Sequence, residues 1–559
     1  MRKHLVTGQD FSVATSSTVL MLIFFIGFFG YLMPALGYFT MIPGDLGDAR
    51  FNSVILEHGY QWLSGQVSQL WSPGFFYPFE RVLGLSDNHF GSFWSYGLMR
   101  WMGFNREMAY SGWFLVGTVL NFWVCWWVLK RAGFSIVPAG AGAFTFAFAL
   151  PMLHQEGHAQ MVYRFAIPLA IFAWYRVLVY RDLGEFGKAV FWCGVQFLCS
   201  IYLGVFLVYL LVAFFVAYAV IQALPIARMA RSLSVGATLA PRVMNRWLEA
   251  RVWLAFAVLA CMAVVLLLRQ YQQISSDYQV IRTLDDLRSM IPRFSSYLLA
   301  DNSQLTRWVG AGVESFPTRS EHQLFFGIGV TLFAGLGVIA ACVAQQVHVQ
   351  LRVCVLTAAL AFVLLMELTT IVGDFSLYLW LLKLPGLDAI RAVSRIILVL
   401  LLPLAVLVGL GFECLLRAAP VLFFKITALV LGLALLTAET VFYQPHHSAV
   451  QTWLDRQAGL VSLIKPELPN DAILLVTQRR AEPFYITELD AMIYAQDHHL
   501  LTLNGYSGST PAGYAFPDPC VPPETRLIGY FGFRNVPEAQ QQRLLARLKT
   551  VELEPCRQK

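Results

Sequence analysis

Apolar runs of about 20 residues recur along this chain, each long enough to cross about 30 Å of hydrocarbon as a helix. Backbone amides and carbonyls in lipid must bond within their own segment, which makes such runs helices. The short alternating segments of a membrane β-barrel do not occur. Spans are expected near 17–40, 109–129, 136–151, 165–181, 189–203, 205–222, 252–270, 323–344, 353–371, 393–413 and 421–442, eleven in all. The charged fraction of 13% agrees, because a soluble domain carries about 25%. The mean hydropathy of +0.59 points the same way.

Charge placement sets the expected topology. Short connectors hold Lys130-Arg131, then Arg176, Arg181 and Lys188, then Arg228, Arg231, Arg242, Arg246 and Arg251, then Arg352 and Arg417. Cytoplasmic loops are enriched in Lys and Arg, so these connectors and the N-terminus are expected in the cytoplasm. The pattern requires residues 189–224 to divide into two helices, with a hinge expected at Tyr202-Leu203-Gly204, where glycine frees the backbone. The net charge of +6 is therefore a topology signal and implies no nucleic-acid partner. The N-terminal apolar run is too long for a signal peptide and reads as a retained span.

Five polar pieces then share the outer side: 41–108, 152–164, 269–322, 372–392 and a tail from 443. The chain divides into a membrane part, 1–442, and a C-terminal α/β domain, 443–559. In the tail AILLVT reads as a strand, ELDAMIYAQD as a helix and LLTLNGYSGS as extended. Seven of the nine cysteines lie in or beside spans. Cys520 and Cys556 lie in the tail and are candidates for a disulfide in an oxidising compartment, or are two ordinary thiols. Walker A, HExxH, GxSxG and CxxC motifs are absent, and no internal repeat suggests an inverted-repeat transporter.

Chemistry is expected where charge gathers on that side. The first loop, PGDLGDARFNSVILEHGYQWLSG, puts Asp45 and Asp48 three residues apart beside glycines that turn the chain at the membrane surface. A carboxylate there can serve as general base, and the pair could hold a divalent cation. The plainer alternative is a pair of solvated charges, with Asp45 in an Asx turn. Glu57 and His58 follow on a run whose spacing fits an amphipathic helix lying on the membrane. The loop PMLHQEGHAQMVYR crowds His154, Glu156 and His158 into an H-x-E-x-H spacing suited to ligands or an acid–base pair, or to a polar turn. Arg391 and Arg395, four apart in KLPGLDAIRAVSR, would share one helix face suited to a phosphate, or to lipid headgroups. In the tail, LNGYSGSTPAGY is a packing turn or a carbohydrate contact.

This layout resembles the GT-C superfamily of integral-membrane glycosyltransferases, which use polyprenyl-phosphate-linked sugars. The resemblance rests on GDLGDARFN…ILEH…LWSPGFFYPF…SDNHFGS, LPGLDAIRAVSR and LNGYSG, and covers residues 1–442. It implies a mainly α fold of about 11 transmembrane helices with a small extracytoplasmic α/β domain. It also implies a catalytic acid in the first loop, Asp48 before Asp45, with His154, Glu156, His158, Glu57 and His58 assisting at an acceptor or metal. Arg391 and Arg395 would bind lipid phosphate. A divalent cation (Mg or Mn) would sit on Asp45, Asp48 and His158. The implied reaction moves a hexosyl or pentosyl unit to an envelope glycan, lipid or protein at the outer face of a bacterial inner membrane. The signature WWD of oligosaccharyltransferases is missing, which argues against protein N-glycosylation. The alternatives are a lipid-linked-substrate flippase, which needs polar residues inside its spans, and a non-enzymatic assembly protein. Glu367 and Glu439 are the main such residues.

Overall fold

In a computed structural model the described residues are 11–224, 243–280, 283–345, 347–382, 390–464, 468–469, 471–477, 482–515 and 522–553. Among them nine helices are long and apolar enough to cross a membrane: α1 (Val13–Ala35), α4 (Arg106–Ala132), α5 (Ile136–Leu153), α6 (Ala159–Tyr180), α8 (Ile201–Ala223), α9 (Trp247–Asp277), α11 (Val349–Thr369), α12 (Val393–Ala418) and α13 (Leu422–Val441). Two of the expected spans correspond to shorter helices, α7 (Leu183–Cys199) and α10 (Ile328–Val343). The protein is mainly helical, and α12 is buried along its whole apolar length at the centre of the bundle.

Residues 189–224 do divide, but at Ser200, before the expected hinge. Ser200 is extended (φ −164°, ψ 128°) and its hydroxyl caps the first turn of α8. Gly204 lies inside α8, where its missing Cβ leaves room for the Phe197 ring; a Cβ there would come within 2.5 Å of it. Capping, rather than glycine freedom, makes this break.

The polar segments gather at one end of the bundle. The first loop contains β1 (Met41–Pro43), α2 (Asp48–Leu63) and α3 (Phe93–Trp101). The tail begins with β2 (His447–Ala449), antiparallel to β1, and continues through α14 (Val450–Leu463) to β3 (Ile473–Thr477). Then come α15 (Phe484–Asp497), β4 (Leu501–Thr502), α16 (Thr525–Arg534), α17 (Glu538–Arg547) and β5 (Leu548–Glu552). The sheet is parallel, in the order β4-β3-β5. Cys520 and Cys556 lie outside the described residues.

The expected surface helix at 50–64 is instead a buried strut. Arg50 is fully buried against the tail and Glu57 nearly so against α3. The Arg50 guanidinium pairs with Asp490 of α15, and Arg456 of α14 holds the same carboxylate. Arg106, at the start of α4, pairs with Asp497. Polar side chains thus bolt the tail to the first loop, and Asp490 is the shared acceptor. Asp490→Asn removes the charge facing two arginines and is expected to cost about 1.5–3 kcal/mol of stability. Thermal unfolding of the purified protein in detergent checks this; an unchanged midpoint would contradict the bolt.

Candidate active site

Two glycines bring the first loop to the second. Gly44 has φ +94°, and a Cβ on it would lie 2.9 Å from the Gly157 Cα. Backbones this close admit no side chain, so the turns PGD and QEG lie against each other. Asp45 Oδ1 then accepts from the amides of Gly47 (2.9 Å) and Asp48 (3.1 Å), the Asx turn that starts α2. Asp45 is therefore engaged in building the turn. Its neighbour Asp48, the first residue of α2, points across to His158.

From Asp48 a chain of alternating charges runs over four segments. His158 Nδ1 lies 3.0 Å from Asp48 Oδ2, and its Nε2 lies 3.0 Å from Glu321 Oε1. Arg395, in the first turn of α12, donates to both oxygens of Glu321, Nη2 at 2.9 Å and Nε at 3.2 Å. Its guanidinium lies 5.6 Å from the centre of the Tyr202 ring, near the start of α8. From the tail, the Tyr506 hydroxyl donates to Asp48 Oδ1 at 2.8 Å. The side chains of Asp48 and His158 are 35% and 24% exposed, those of Glu321 and Arg395 10% and 7%. The accessible end of the chain is therefore the Asp48–His158 pair.

The charges hold one another in place. Burial pushes the Asp48 carboxyl up, but the His158 hydrogen bond and charge and the Tyr506 hydroxyl outweigh it and hold it below its ordinary value. Burial and Arg395 pull the His158 imidazole down, yet Glu321 and Asp48 raise it to about 9. Burial opposes ionisation of Glu321 too, and Arg395 and His158 hold it well below the usual carboxylate range. At neutral pH the chain reads carboxylate, imidazolium, carboxylate, guanidinium. Asp48 is ionised, and His158 is a fixed cation beside it.

The scaffold around Asp48 is tied down. Asn52 donates to the Asp48 carbonyl (2.7 Å) and to Gln160 Oε1 (3.2 Å), and accepts from His89 Nε2 (2.7 Å). Asp87 docks the same loop onto the N-terminus of α8, accepting from the Ser200 hydroxyl and the Ile201 amide. Burial pushes its carboxyl up to about 6.

Several expected partners sit elsewhere. Glu57 accepts from Tyr96 (2.5 Å) and Arg100 (3.1 Å), and His58 Nε2 faces the carbonyls of Gln69 and Leu70. They lie nine and ten residues along α2 from Asp48, about 14 Å at 1.5 Å per residue. The H-x-E-x-H triplet splits because its backbone turns. His154 packs on the Tyr443 ring (centroids 5.1 Å), and Glu156 accepts from the Tyr31 hydroxyl (3.0 Å) and the His446 amide. Burial pushes Glu156 up to about 8, a protonated acid beneath the site. Arg391 and Arg395 share no helix face, since residues 391–392 precede the helical turn that opens at Val393. The Arg391 amide donates to the Tyr202 hydroxyl (3.2 Å), and its half-buried guanidinium makes no ion pair among the described residues.

The expected cation set of Asp45, Asp48 and His158 does not fit a metal. Asp45 serves backbone amides, and both ring nitrogens of His158 face carboxylates. Among the described residues no three His, Cys, Asp or Glu side chains group to hold one. Glu321 and Asp87 were not singled out as site residues, whereas Tyr506 lies in the turn 503–514 read as a packing turn or carbohydrate contact and Tyr202 in the expected hinge. Glu321 did carry a signal, as an acid two residues before an apolar span on the side where Asp48 and His158 were expected.

No family model matches the chain, and no curated protein matches it. Among solved structures it is similar to the oligosaccharyltransferase of Archaeoglobus fulgidus. Against the apo form the TM-score is 0.46 at 11% identity, covering 88% of this chain and 65% of that one. Against the form tethered by a disulfide bond to an acceptor peptide containing the NVT sequon it is 0.47 at 12%, covering 89% and 65%. The chain thus spans just under two thirds of that protein's length.

Proposed function

We propose that this protein is a membrane glycosyltransferase that moves a sugar from a polyprenyl-phosphate donor to a cell-envelope glycan, lipid or protein. The observation that carries the reading is the convergence of Asp48, His158, Glu321 and Arg395 at one end of the helices. A lipid-linked phosphosugar holds its phosphate at the membrane surface, where Arg391, whose amide meets Tyr202 and whose guanidinium makes no ion pair among the described residues, stands near Arg395.

In this reading the acceptor hydroxyl attacks the anomeric carbon from the side opposite the phosphate. The C–O bond to the phosphate breaks, and its electron pair leaves on polyprenyl phosphate. Asp48 takes the hydroxyl proton as the new glycosidic bond forms, and the anomeric centre inverts. Arg391 meets the charge that gathers on the leaving phosphate, and His158, with its two ring nitrogens on Asp48 and Glu321, keeps Asp48 ionised. The site would open on the outer face of a bacterial inner membrane, with the N-terminus in the cytoplasm and the tail in the periplasm.

The flippase alternative gains no support from Glu439 and Glu413, and Glu367, the other carboxylate expected to matter, is exposed on α11. Glu439 accepts from the amides of Ile328 (3.1 Å) and Gly329 (3.4 Å), capping α10. Glu413 accepts from the amide and hydroxyl of Ser135, capping α5. Both are helix anchors.

Transfer of radiolabelled sugar from polyprenyl-phosphate-linked donors, by purified protein in nanodiscs, tests the proposal. Arg391→Ala is expected to raise the donor KM about 10- to 100-fold, the effect of one charge-assisted hydrogen bond. Absence of transfer with every donor and acceptor class would refute the enzyme reading, and an unchanged KM would remove Arg391 from donor binding.

A further inference from the structure

The tail places two aromatic rings over the carboxylate end of the site. Tyr485, near the start of α15, and Tyr506, on the loop after β4, have ring centroids 5.7 Å apart and planes inclined at 45°. Both are partly exposed, as are Asp45, Leu46 and Asp48 beside them. The edge of Tyr485 lies against Gly47, where a Cβ would stand 3.1 Å from its Cε2. The two rings and two carboxylates form one corner.

Tyr506 is fixed there from three sides. Its hydroxyl is spent on Asp48, and its ring meets the edge of Phe51 at 5.6 Å. The preceding Gly505 packs on the Phe76 ring and donates its amide to Glu488 (2.8 Å), a buried carboxylate that also pairs with Arg526. Tyr485 differs. Its hydroxyl makes no hydrogen bond among the described residues, although Asp45 and Asp48 are near enough to act on it electrostatically. A half-exposed ring with an unused hydroxyl, next to two carboxylates, is a surface built for something that brings donors and a weakly polar face.

We infer that the Tyr485–Tyr506 corner binds a neutral sugar ring of the acceptor and presents it to Asp48. A pyranose ring carries polarised C–H groups on its face, which suit the negative face of an aromatic ring. It carries hydroxyl donors at its edge, which suit the free lone pairs of Asp45 and the Tyr485 hydroxyl. A peptide would bring as many carbonyl acceptors as donors, and its carbonyls would meet carboxylates here. This assignment names the acceptor class for the glycosyl-transfer reading and rests on it.

The test uses the full chain in nanodiscs and a panel of soluble neutral trisaccharides (maltotriose, chitotriose and mannotriose), read by saturation-transfer NMR. At least one sugar is expected to bind through its ring protons. Tyr485→Ala is expected to weaken that binding at least about tenfold, while Tyr485→Trp, which keeps an aromatic face, retains it. Thermal unfolding of both variants excludes a folding defect. In a transfer assay Tyr485→Ala is expected to raise the acceptor KM with little change in kcat. Binding by none of the sugars, sugar binding indifferent to Tyr485→Ala, or Tyr485-dependent binding of a peptide in place of sugar would each overturn the assignment. Sugar binding that needs Tyr485 in a protein with no transferase activity would keep the corner and refute the reaction. Transfer that ignores Tyr485 would do the reverse.

Discussion

Asp48→Asn is expected to lower sugar transfer about 10²- to 10⁴-fold, the range lost when a positioned base is removed. Asparagine has nearly the same shape, and its carbonyl oxygen can still accept from Tyr506, so the fold of the first loop is preserved. What disappears is the charge. The amide cannot take the acceptor proton, and His158 loses one of its two carboxylates. Membranes containing equal amounts of folded wild-type and variant protein, assayed for transfer, give the comparison. Activity within twofold of wild type would remove Asp48 from the chemistry. Asp45→Asn is the control for folding of the turn, since Asp45 Oδ1 accepts from two backbone amides and an amide oxygen can do the same.

Glu321→Gln is the second large effect, and it is read as a shift along the pH axis. Glu321 joins two cations, His158 and Arg395, in a largely buried place. Removing one partner of a buried ion pair costs about 3–5 kcal/mol, because the other charge is left uncompensated. The sign for His158 follows from its raised value of about 9. Its contribution to stability is fully present below the unfolded value of about 6.5 and is lost as pH rises through about 9. Transfer by the wild type is therefore expected to fall on an alkaline limb near pH 9. In Glu321→Gln that limb moves down toward the ordinary histidine value, because the larger of the two raising influences is gone. pH–rate profiles of the two proteins, each corrected for the folded fraction, make the measurement. Coincident limbs would show that His158 does not act as a cation held by Glu321.

Much of the frame was legible from apolar run length and loop charge. Those two signals placed residues 41–108, 152–164, 269–322 and the tail on one side, and Asp48, His158, Glu321 and Tyr506 do meet there. The local readings fared less well, each for a physical reason. An amphipathic pattern over 50–64 shows that one face wants cover, and says nothing of whether lipid or the tail supplies it; Asp490 answered that. An H-x-E-x-H spacing brings three side chains together only on a suitable backbone, and this loop turns His154 and Glu156 inward. The four-residue spacing of Arg391 and Arg395 means a shared face only if both are helical, and the helix opens between them. Glu321 carried only the signal of an acid just before a span, because its importance comes from pairing with Arg395, 74 residues later, and with His158 far earlier in the chain.

The hydroxyl that completes Asp48 belongs to Tyr506, 458 residues further along the chain. A ribosome adding about 5–20 residues per second needs on the order of 20 to 90 seconds to make that stretch. During that time Arg50 and Asp48 wait for partners not yet translated. The surroundings of Asp48 are therefore complete only once the last fifth of the chain has been made.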